Sequence, residues 1–222
     1  MSKHIVRILK TSMVTHNVKR FVVEKPEGFH FISGQATEIS INKPGLEEDL
    51  RPFTFTSVNA FDYLEFTIKI YSGHDGLTKK LGNVEAGDEL ILHDVFGTIT
   101  YHGPGLFIAG GAGITPFISI FRDLKSKGGL EGCRLIFANK TMDDVILKEE
   151  LEEMLGDKFI NVVEISADPT VPPRFIDKEL IKTYMKDDNQ FYYICGPDPF
   201  TQIMISYLLD LGVNKTQIII EQ

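Results

Sequence analysis

Apolar and polar residues alternate from Ile5 to about Tyr101 with the period of two that β-strands produce. The clearest run is 63–70, which places four apolar side chains on one strand face: Leu64, Phe66, Ile68 and Ile70. Similar runs, separated by clusters of Gly, Pro and Asn, cover 19–25, 35–41, 51–57 and 89–94. The pattern predicts a closed antiparallel β-barrel, interrupted only by a short helix near 78–81.

After residue 103 the pattern changes to alternating strands and helices. A strand over 106–109 leads into a glycine-rich turn and then into a helix over 115–127. Four more strands are predicted over 134–138, 160–165, 190–195 and 216–220, and three helices over 144–155, 177–186 and 199–211. This alternation predicts a Rossmann-like α/β domain with a parallel sheet. We therefore expect two domains, a barrel in residues 1–102 and an α/β domain in residues 103–222.

Length and composition agree with two cores, since the chain has 222 residues, of which 43% are hydrophobic and 24% charged. The formal net charge of -8 argues against a nucleic-acid partner, because phosphate backbones are bound by clustered Lys and Arg. There is no apolar run of roughly 18 residues and no signal-peptide core, which predicts no membrane span and a cytoplasmic location. A monomer is the favoured state.

The chain has two cysteines, Cys133 and Cys195, too few for an ordinary iron–sulfur cluster or structural zinc site. A disulfide between them stays open, although a reducing compartment favours two thiols. The six histidines show no paired ligand spacing, so we predict no metal site. If the protein moves electrons, it needs another redox centre.

The glycine-rich turn Gly110-Gly-Ala-Gly-Ile-Thr-Pro116 follows a predicted strand and opens a predicted helix. Glycines let a backbone approach a pyrophosphate, whose charge then lies at a helix N-terminus. Thr115 suits the N-cap and Pro116 the first helical position. Pro116 also replaces the third glycine of the ordinary dinucleotide fingerprint, so a purely structural turn remains the alternative.

A second turn, Cys195-Gly-Pro-Asp-Pro199, ends the strand over 190–195, and Asp198 suits the cap of the helix that follows. Both turns fall at the carboxyl ends of parallel strands, where open α/β sheets bind ligands. For Cys195, a role as a small buried hydrophobe is the alternative.

Two segments of the barrel half carry further candidates. Strand spacing puts Arg51 and Phe53 on one side, next to the Thr54 hydroxyl, although a solvated arginine beside a core phenylalanine explains this segment as well. The segment 73–78 offers glycines, backbone N–H groups and a hydroxyl to a phosphate, or is a plain loop into a helix.

In their order along the chain, Arg51-Pro-Phe-Thr54, Gly76-Leu-Thr78, Gly110-Gly-Ala-Gly-Ile-Thr-Pro116 and Cys195-Gly-Pro197 resemble the signatures of the ferredoxin-NADP reductase superfamily. The segment 137–151 is similar to the NADH-linked cytochrome b5 reductase and nitrate reductase branch, and flavodoxin reductases are the other near relatives. The resemblance implies an N-terminal FAD-binding barrel and a C-terminal NAD(P)-binding domain.

The activity implied by this resemblance is hydride transfer from NAD(P)H to FAD, with the electrons passing to a separate acceptor. A flavodoxin, a ferredoxin, a haem protein or an oxygenase component would serve as that acceptor. The alternative is an electron-transfer subunit that keeps the flavin but needs a partner complex to turn over.

For the flavin, the resemblance implies that Arg51 binds the pyrophosphate, Phe53 lies against the isoalloxazine and Thr54 hydrogen-bonds near N5. The resemblance also implies that the flavin site is lined by Ile68, Lys69 and Tyr71. It implies that the FAD phosphates are held by Gly76, Leu77 and Thr78. Phe53 stands where the family has tyrosine, which predicts modestly weaker flavin binding. The chain ends in Glu221-Gln222 without the terminal aromatic that covers the flavin in many relatives.

For the nicotinamide cofactor, the resemblance implies binding by both turns and by the end of the next strand: Gly111, Gly113, Thr115, Pro116, Asn139, Cys195, Gly196, Pro197 and Asp198. Cys195 would lie between nicotinamide C4 and flavin N5, so Cys195 and Thr54 are the implied catalytic residues. The segment 139–144 has one lysine and two acids, which favours NADH, although Lys140 could serve NADPH.

Overall fold

Two sheets, built from consecutive halves of the chain, organise the computed structural model, which describes residues 3–73, 75–97, 99–186 and 190–221. The first sheet is antiparallel, with strand order β4-β3-β6-β1-β2-β5. Its strands are β1 (His4–Thr15), β2 (Val18–Glu24), β3 (Ala36–Ile41), β4 (Arg51–Thr54), β5 (Tyr63–Lys69) and β6 (Glu89–Phe96).

The two edge strands of this sheet, β4 and β5, meet and close it into the predicted barrel. Phe55 bridges Phe66 just beyond the end of β4, and the Thr56 N–H donates to the Glu65 carbonyl at 2.8 Å. Phe55 and Phe66 are fully buried in the barrel core, where their rings lie 5.1 Å apart. Among the residues that the structure describes in this half, the one short helix is α1 (Leu77–Leu81).

The second sheet is parallel, with order β11-β10-β7-β8-β9. Its strands are β7 (Gly105–Gly110), β8 (Arg134–Asn139), β9 (Phe159–Val163), β10 (Phe191–Cys195) and β11 (Ile218–Ile220), and the helices are α2 (Thr115–Ser126), α3 (Lys148–Leu155), α4 (Lys178–Tyr184) and α5 (Asp198–Asp210). A buried cluster with Phe107 and Phe117 packs α2 and α3 on one face. A second cluster, with Ile108 and Leu208, packs α4 and α5 on the other.

The predicted helix over 144–155 is wrong at its start. Asp144 accepts hydrogen bonds from the Thr141 N–H and hydroxyl, at 3.0 and 2.7 Å, which closes a 3₁₀ turn over Met142–Asp144. Val145 and Ile146 then enter the core, and Leu147 takes a left-handed conformation with φ 51° before α3 begins. The predicted strand over 216–220 also starts late, because a 3₁₀ turn occupies Lys215–Gln217.

Both predicted helix caps are wrong. A 3₁₀ turn over Gly111–Ile114 runs directly into α2, so Thr115 is the first helical residue and its hydroxyl donates to the Ala112 carbonyl at 3.1 Å. Pro116 is therefore second rather than first. Asp198 is likewise the first residue of α5, and its side chain makes no cap hydrogen bond.

Helix α2 contacts the barrel through two polar residues one turn apart. The Ser119 hydroxyl donates to the Ser57 carbonyl at 2.7 Å, and the Arg122 guanidinium reaches the Thr56 carbonyl and the Glu65 carboxylate. The connection between the halves is held as well, because the Tyr193 hydroxyl accepts from the N–H groups of His102 and Gly103. The halves therefore meet through specific hydrogen bonds and not through packing alone.

Cys133 and Cys195 are both buried free thiols, as the sequence favoured. Among the residues described, no helix combines the length and apolar character needed to cross a bilayer.

Candidate functional site

A cleft of about 650 Å³ opens between the barrel and the α/β domain. Barrel strands β4 and β5 form one wall, and the carboxyl ends of β7, β8 and β10 form the other. In open α/β sheets this end of the strands is where ligands bind. The volume lies within the range of pockets that hold cofactors and other small molecules.

The two glycine-containing turns of the α/β domain touch each other in this cleft. A Cβ on Gly113 would lie 2.3 Å from the Cys195 carbonyl oxygen, so only glycine allows the approach. Gly111 has φ 53°, and a Cβ there would meet no atom of the described protein within 4 Å. The first turn therefore presents bare backbone to the cleft while its other side packs on Cys195.

Cys195 is 7% exposed and lies at the end of β10. Its thiol donates a weak hydrogen bond to Glu221 Oε2 at 3.7 Å. Burial, then the charge of Glu221 and this hydrogen bond, raise the pKa of the thiol well above its usual range. Burial and the neighbouring carboxylate both favour the neutral thiol, which can donate a hydrogen bond, over the thiolate.

Asn139 ends β8 and is 5% exposed, and it lines the cleft. Within the described part of the chain, neither its Nδ2 nor its Oδ1 has a hydrogen-bond partner. A buried amide without partners is costly, and a ligand carrying both a donor and an acceptor would satisfy it. Among the described residues that line the cleft, Asn139 therefore carries a buried amide whose hydrogen-bonding capacity is unused.

Most of the predicted site residues line this one cleft. From the barrel half come Phe53, Thr54, Ile68, Lys69, Tyr71 and Thr78. The α/β half contributes Gly111, Gly113, Thr115, Asn139, Cys195, Gly196 and Pro197. Residues 54 and 195, separated by more than half the chain, are thus brought to opposite walls of the same space.

Five predicted residues do not line the cleft: Arg51, Gly76, Leu77, Pro116 and Asp198. The Arg51 guanidinium instead donates to the Leu50 carbonyl at 2.6 Å and lies 3.5 Å from the Asp49 carboxylate. Leu77 and Pro116 are buried, Gly76 precedes α1, and Asp198 is exposed at the start of α5.

Sequence reasoning assigned no site role to several lining residues: Ala36, Pro52, Thr67, Ala112, Ala138, Glu164, Phe200 and Glu221. Glu164 and Glu221 directly follow β9 and β11, so their place at the ends of parallel strands was a usable signal. No sequence signal marked Phe200, because its ring lies in the cleft lining only through its close packing on Gly110 and Gly196. Lys140 and Asp144, from the segment that favoured NADH, also line the cleft, and Asp144 lies 3.8 Å from His16 of the barrel.

Comparison with known proteins decides the family. Residues 3–104 match the FAD-binding domain family, and residues 107–205 match the oxidoreductase NAD-binding domain family. The NADH--cytochrome b5 reductase 1 of Arabidopsis thaliana is 30% identical over 228 residues, which cover 94% of this chain and 80% of the plant protein. The chain belongs to the ferredoxin-NADP reductase superfamily.

Two further relatives extend this comparison. The reductase component of propane 2-monooxygenase from Mycolicibacterium goodii is 28% identical over 208 residues, covering 87% of this chain and 59% of that protein. A ferredoxin NADP+ reductase from Neisseria gonorrhoeae, solved with bound FAD and NADP, shares the fold with a TM-score of 0.84. That structure is 19% identical and covers 99% of this chain and 98% of its own.

This reductase is an NAD(P)H-dependent, FAD-containing oxidoreductase that passes electrons to a separate acceptor. Its cleft fits the two cofactors, because it joins an aromatic and hydroxyl-bearing barrel wall to a wall of bare glycine backbone. The Asn139 amide, unpaired among the described residues, belongs to the lining of this cleft.

Proposed function

We propose that this reductase oxidises NADH, with FAD lying along β4 and β5 and the nicotinamide entering between the glycine turn and Cys195. The observation that carries this proposal is the meeting of Thr54 with Thr115 and Cys195 around one cleft. FAD held along this wall would supply the chemistry of taking up a hydride and giving up electrons later. The protein contributes by holding the two reacting rings in contact and by excluding water.

On the barrel wall, Phe53 lies against the flavin and the Thr54 hydroxyl hydrogen-bonds near N5. Ile68, Lys69 and Tyr71 line the same side, where Lys69 Nζ lies 6.0 Å from the Tyr71 ring centroid. Arg51 binds the pyrophosphate by exchanging its present acceptors, the Leu50 carbonyl and the Asp49 carboxylate, for phosphate oxygens. Membership of the family supports all these roles, and the cleft lining supports those of the residues other than Arg51.

Residues at the start of α1 hold the FAD phosphates in this proposal. Thr78 lines the cleft, Gly76 presents a backbone on which a Cβ would meet nothing, and Leu77 anchors the turn in the barrel core. A Thr78→Ala variant loosens FAD, whereas Thr183→Ala on the exposed face of α4 leaves it unchanged. Flavin fluorescence titration measures both, and chromatography of heat-released flavin that yields FMN alone would contradict this assignment.

On the α/β wall, backbone and hydroxyl groups hold the nicotinamide dinucleotide, with Pro116 and Asp198 shaping the starts of α2 and α5. The direct contacts are assigned to residues that line the cleft: Gly111, Gly113, Thr115, Asn139, Cys195, Gly196 and Pro197. The neutral thiol of Cys195 positions the nicotinamide, and Glu221 fixes the direction in which that thiol points. No covalent bond to sulfur is needed.

NADH is the preferred donor in this proposal. The carboxylates of Asp144 and Glu164 line the cleft beside Lys140. They repel the additional 2′-phosphate of NADPH more than a single lysine attracts it.

The acceptor is an external redox protein. The names of two relatives, an NADH--cytochrome b5 reductase and an oxygenase reductase component, support a haem protein or an oxygenase component. Two free thiols support a reducing, cytoplasmic location, and we expect a monomer.

Stopped-flow mixing with NADH tests the proposal. We expect the purified, yellow protein to lose its flavin absorbance unaided when it is mixed with NADH. If flavin is bound but bleaches only after a partner protein is added, the chain is an electron-transfer subunit. A colourless protein that takes up no FAD contradicts both functions.

A further inference from the structure

We propose that Arg122 is a positioning residue that sets the distance between the flavin wall and the nicotinamide wall of the cleft. This inference rests on the proposed function. It concerns a side chain outside the cleft, on the third turn of α2, which lies largely buried between the two halves of the protein.

One guanidinium joins three parts of the molecule. Arg122 Nη1 donates to the Thr56 carbonyl at 2.7 Å and to Glu65 Oε1 at 2.6 Å, both in the barrel half. Its Nε and Nη2 donate to the two carboxylate oxygens of Glu150 on α3, at 2.6 and 2.8 Å. The planar fork of arginine satisfies all these acceptors at once, which a lysine cannot do.

The barrel side of this contact is buried and hydrogen-bonded. Glu65 is 4% exposed and also accepts from the Thr56 hydroxyl at 2.8 Å, while its N–H donates to Ser57 Oγ at 3.0 Å. Ser119, one turn before Arg122, donates to the Ser57 carbonyl at 2.7 Å. Two successive barrel carbonyls are therefore held by two residues on one face of α2.

Both ends of this contact lead directly to the cleft. Thr56 follows Thr54 by two residues along the strand that closes the barrel. Arg122 follows Thr115 by seven residues along a helix, or about 10 Å. A shift of the guanidinium moves Thr54 relative to Thr115, and with them the two rings that must react.

Stability alone does not explain this arrangement. Replacing a buried ion pair by packed apolar groups is often neutral or stabilising, so such a cluster is poor evidence for stabilisation. What the cluster adds is a fixed direction and distance between two halves, because each hydrogen bond has its own geometry. Hydride transfer is sensitive to that geometry, since a misplacement of about 1 Å can slow a reaction about 100-fold.

The test compares three variants of the FAD-loaded protein. Arg122→Lys keeps the charge and loses the fork. Arg122→Met with Glu65→Gln and Glu150→Gln removes the guanidinium together with both carboxylates that it contacts. Lys125→Met is the matched control, because Lys125 joins α2 to Glu153 of α3 at 2.6 Å without touching the barrel.

Both Arg122 variants are expected to retain FAD and to bind NADH with little change in its dissociation constant. Their flavin bleaching at saturating NADH should slow by tenfold or more. Hydrogen exchange at residues 55–57, measured without NADH, should become faster in both. Lys125→Met should match the parent protein in every measurement.

The inference is overturned if either Arg122 variant bleaches its flavin at the parent rate, or if the loss of rate only matches a loss of bound FAD. Equal slowing in Lys125→Met also overturns it, because the effect would not come from the barrel contact. If the parent protein itself does not react with NADH, the proposed function fails instead. The hydrogen-exchange result then still reports whether Arg122 holds the two halves together.

Discussion

At the scale of single residues, two buried side chains in the cleft lining have hydrogen-bonding groups that the described protein leaves weakly paired or unpaired. Cys195 has a raised pKa and donates a weak hydrogen bond to Glu221. Asn139 has no partner for either amide atom among the residues described. Neither feature stabilises the fold, and both residues lie in the lining of the cleft.

Substitution of Cys195 should slow hydride transfer while leaving the FAD content unchanged. The thiol positions the nicotinamide, so Cys195→Ser, which keeps a small polar group, should be slowed less than Cys195→Ala. Single-turnover flavin bleaching at saturating NADH measures the rates, and Cys133→Ser provides a buried cysteine outside the cleft for comparison. If both Cys195 variants bleach their flavin at the parent rate, the role of Cys195 is packing and not positioning of the nicotinamide.

Removal of the unpaired amide at Asn139 should weaken NADH binding without destabilising the cofactor-free protein. A lost hydrogen-bond partner costs about 1–3 kcal/mol in binding, whereas a buried amide with no partner opposes folding, so its removal does not destabilise the protein. Titration with NADH and thermal unfolding of Asn139→Ala check the two halves of this prediction. Asn161→Ala, on the neighbouring strand β9 and outside the cleft lining, should leave the affinity unchanged.

At the scale of elements, Lys19 of β2 holds the end of α1 in place. Its ammonium donates to the carbonyls of Gly82 and Val84 and to Glu85 Oε1, at 3.1, 2.7 and 2.9 Å. Lys19 is 4% exposed, so these acceptors replace water around a buried charge. This contact fixes where α1, and therefore Thr78, lies against the barrel.

Lys19→Met should lower the free energy of unfolding by about 1–3 kcal/mol, because three acceptors lose their donor. Hydrogen bonds from Lys19 and then Thr11 hold the pKa of Glu85 below its ordinary value of 4.5. A lowered pKa of Glu85 stabilises the folded protein at pH values above its ordinary pKa, and this contribution is lost as the pH falls below about 4.5. Urea unfolding at neutral and acidic pH should therefore show a smaller difference between parent and variant in acid. Lys3→Met, which removes an exposed ion pair, should change little at either pH.

At the scale of the whole molecule, charge and domain contact act on the same cleft. The chain carries a formal net charge of -8, and its cleft includes the carboxylates of Asp144, Glu164 and Glu221. The contact between α2 and the barrel fixes the width of that cleft. Cofactor choice and hydride transfer therefore depend on the assembled protein and not on either half alone.

NADH should give a higher kcat/KM than NADPH, and the difference should narrow as salt is added, because screening weakens repulsion of the 2′-phosphate. Asp144→Asn with Glu164→Gln should raise kcat/KM for NADPH several-fold and change that for NADH less. Steady-state kinetics with both donors at two ionic strengths measures this. A preference of the parent protein for NADPH would make Lys140 the deciding group.

Sequence periodicity determined the two-sheet architecture, because strand and helix periods express local burial that each segment carries by itself. The turns at 110–116 and 195–199 were also readable, since glycine and proline restrict the backbone directly. Prediction from local sequence was wrong for the helix caps at Thr115 and Asp198 and for the helix start at residues 145–147. There the preceding turn or burial in the core determines the backbone conformation.

Only the tertiary structure decided how the two halves meet. In β5, alternation puts Glu65 and Thr67 on the solvent side, yet both are buried. Arg122, which contacts Glu65, comes from a helix 57 positions further along the chain. A buried carboxylate of this kind is tolerated only because a distant partner compensates its charge, and no local pattern encodes that partner. The same holds for Cys195 and Glu221, whose contact exists because two parallel strands end at one edge of the sheet.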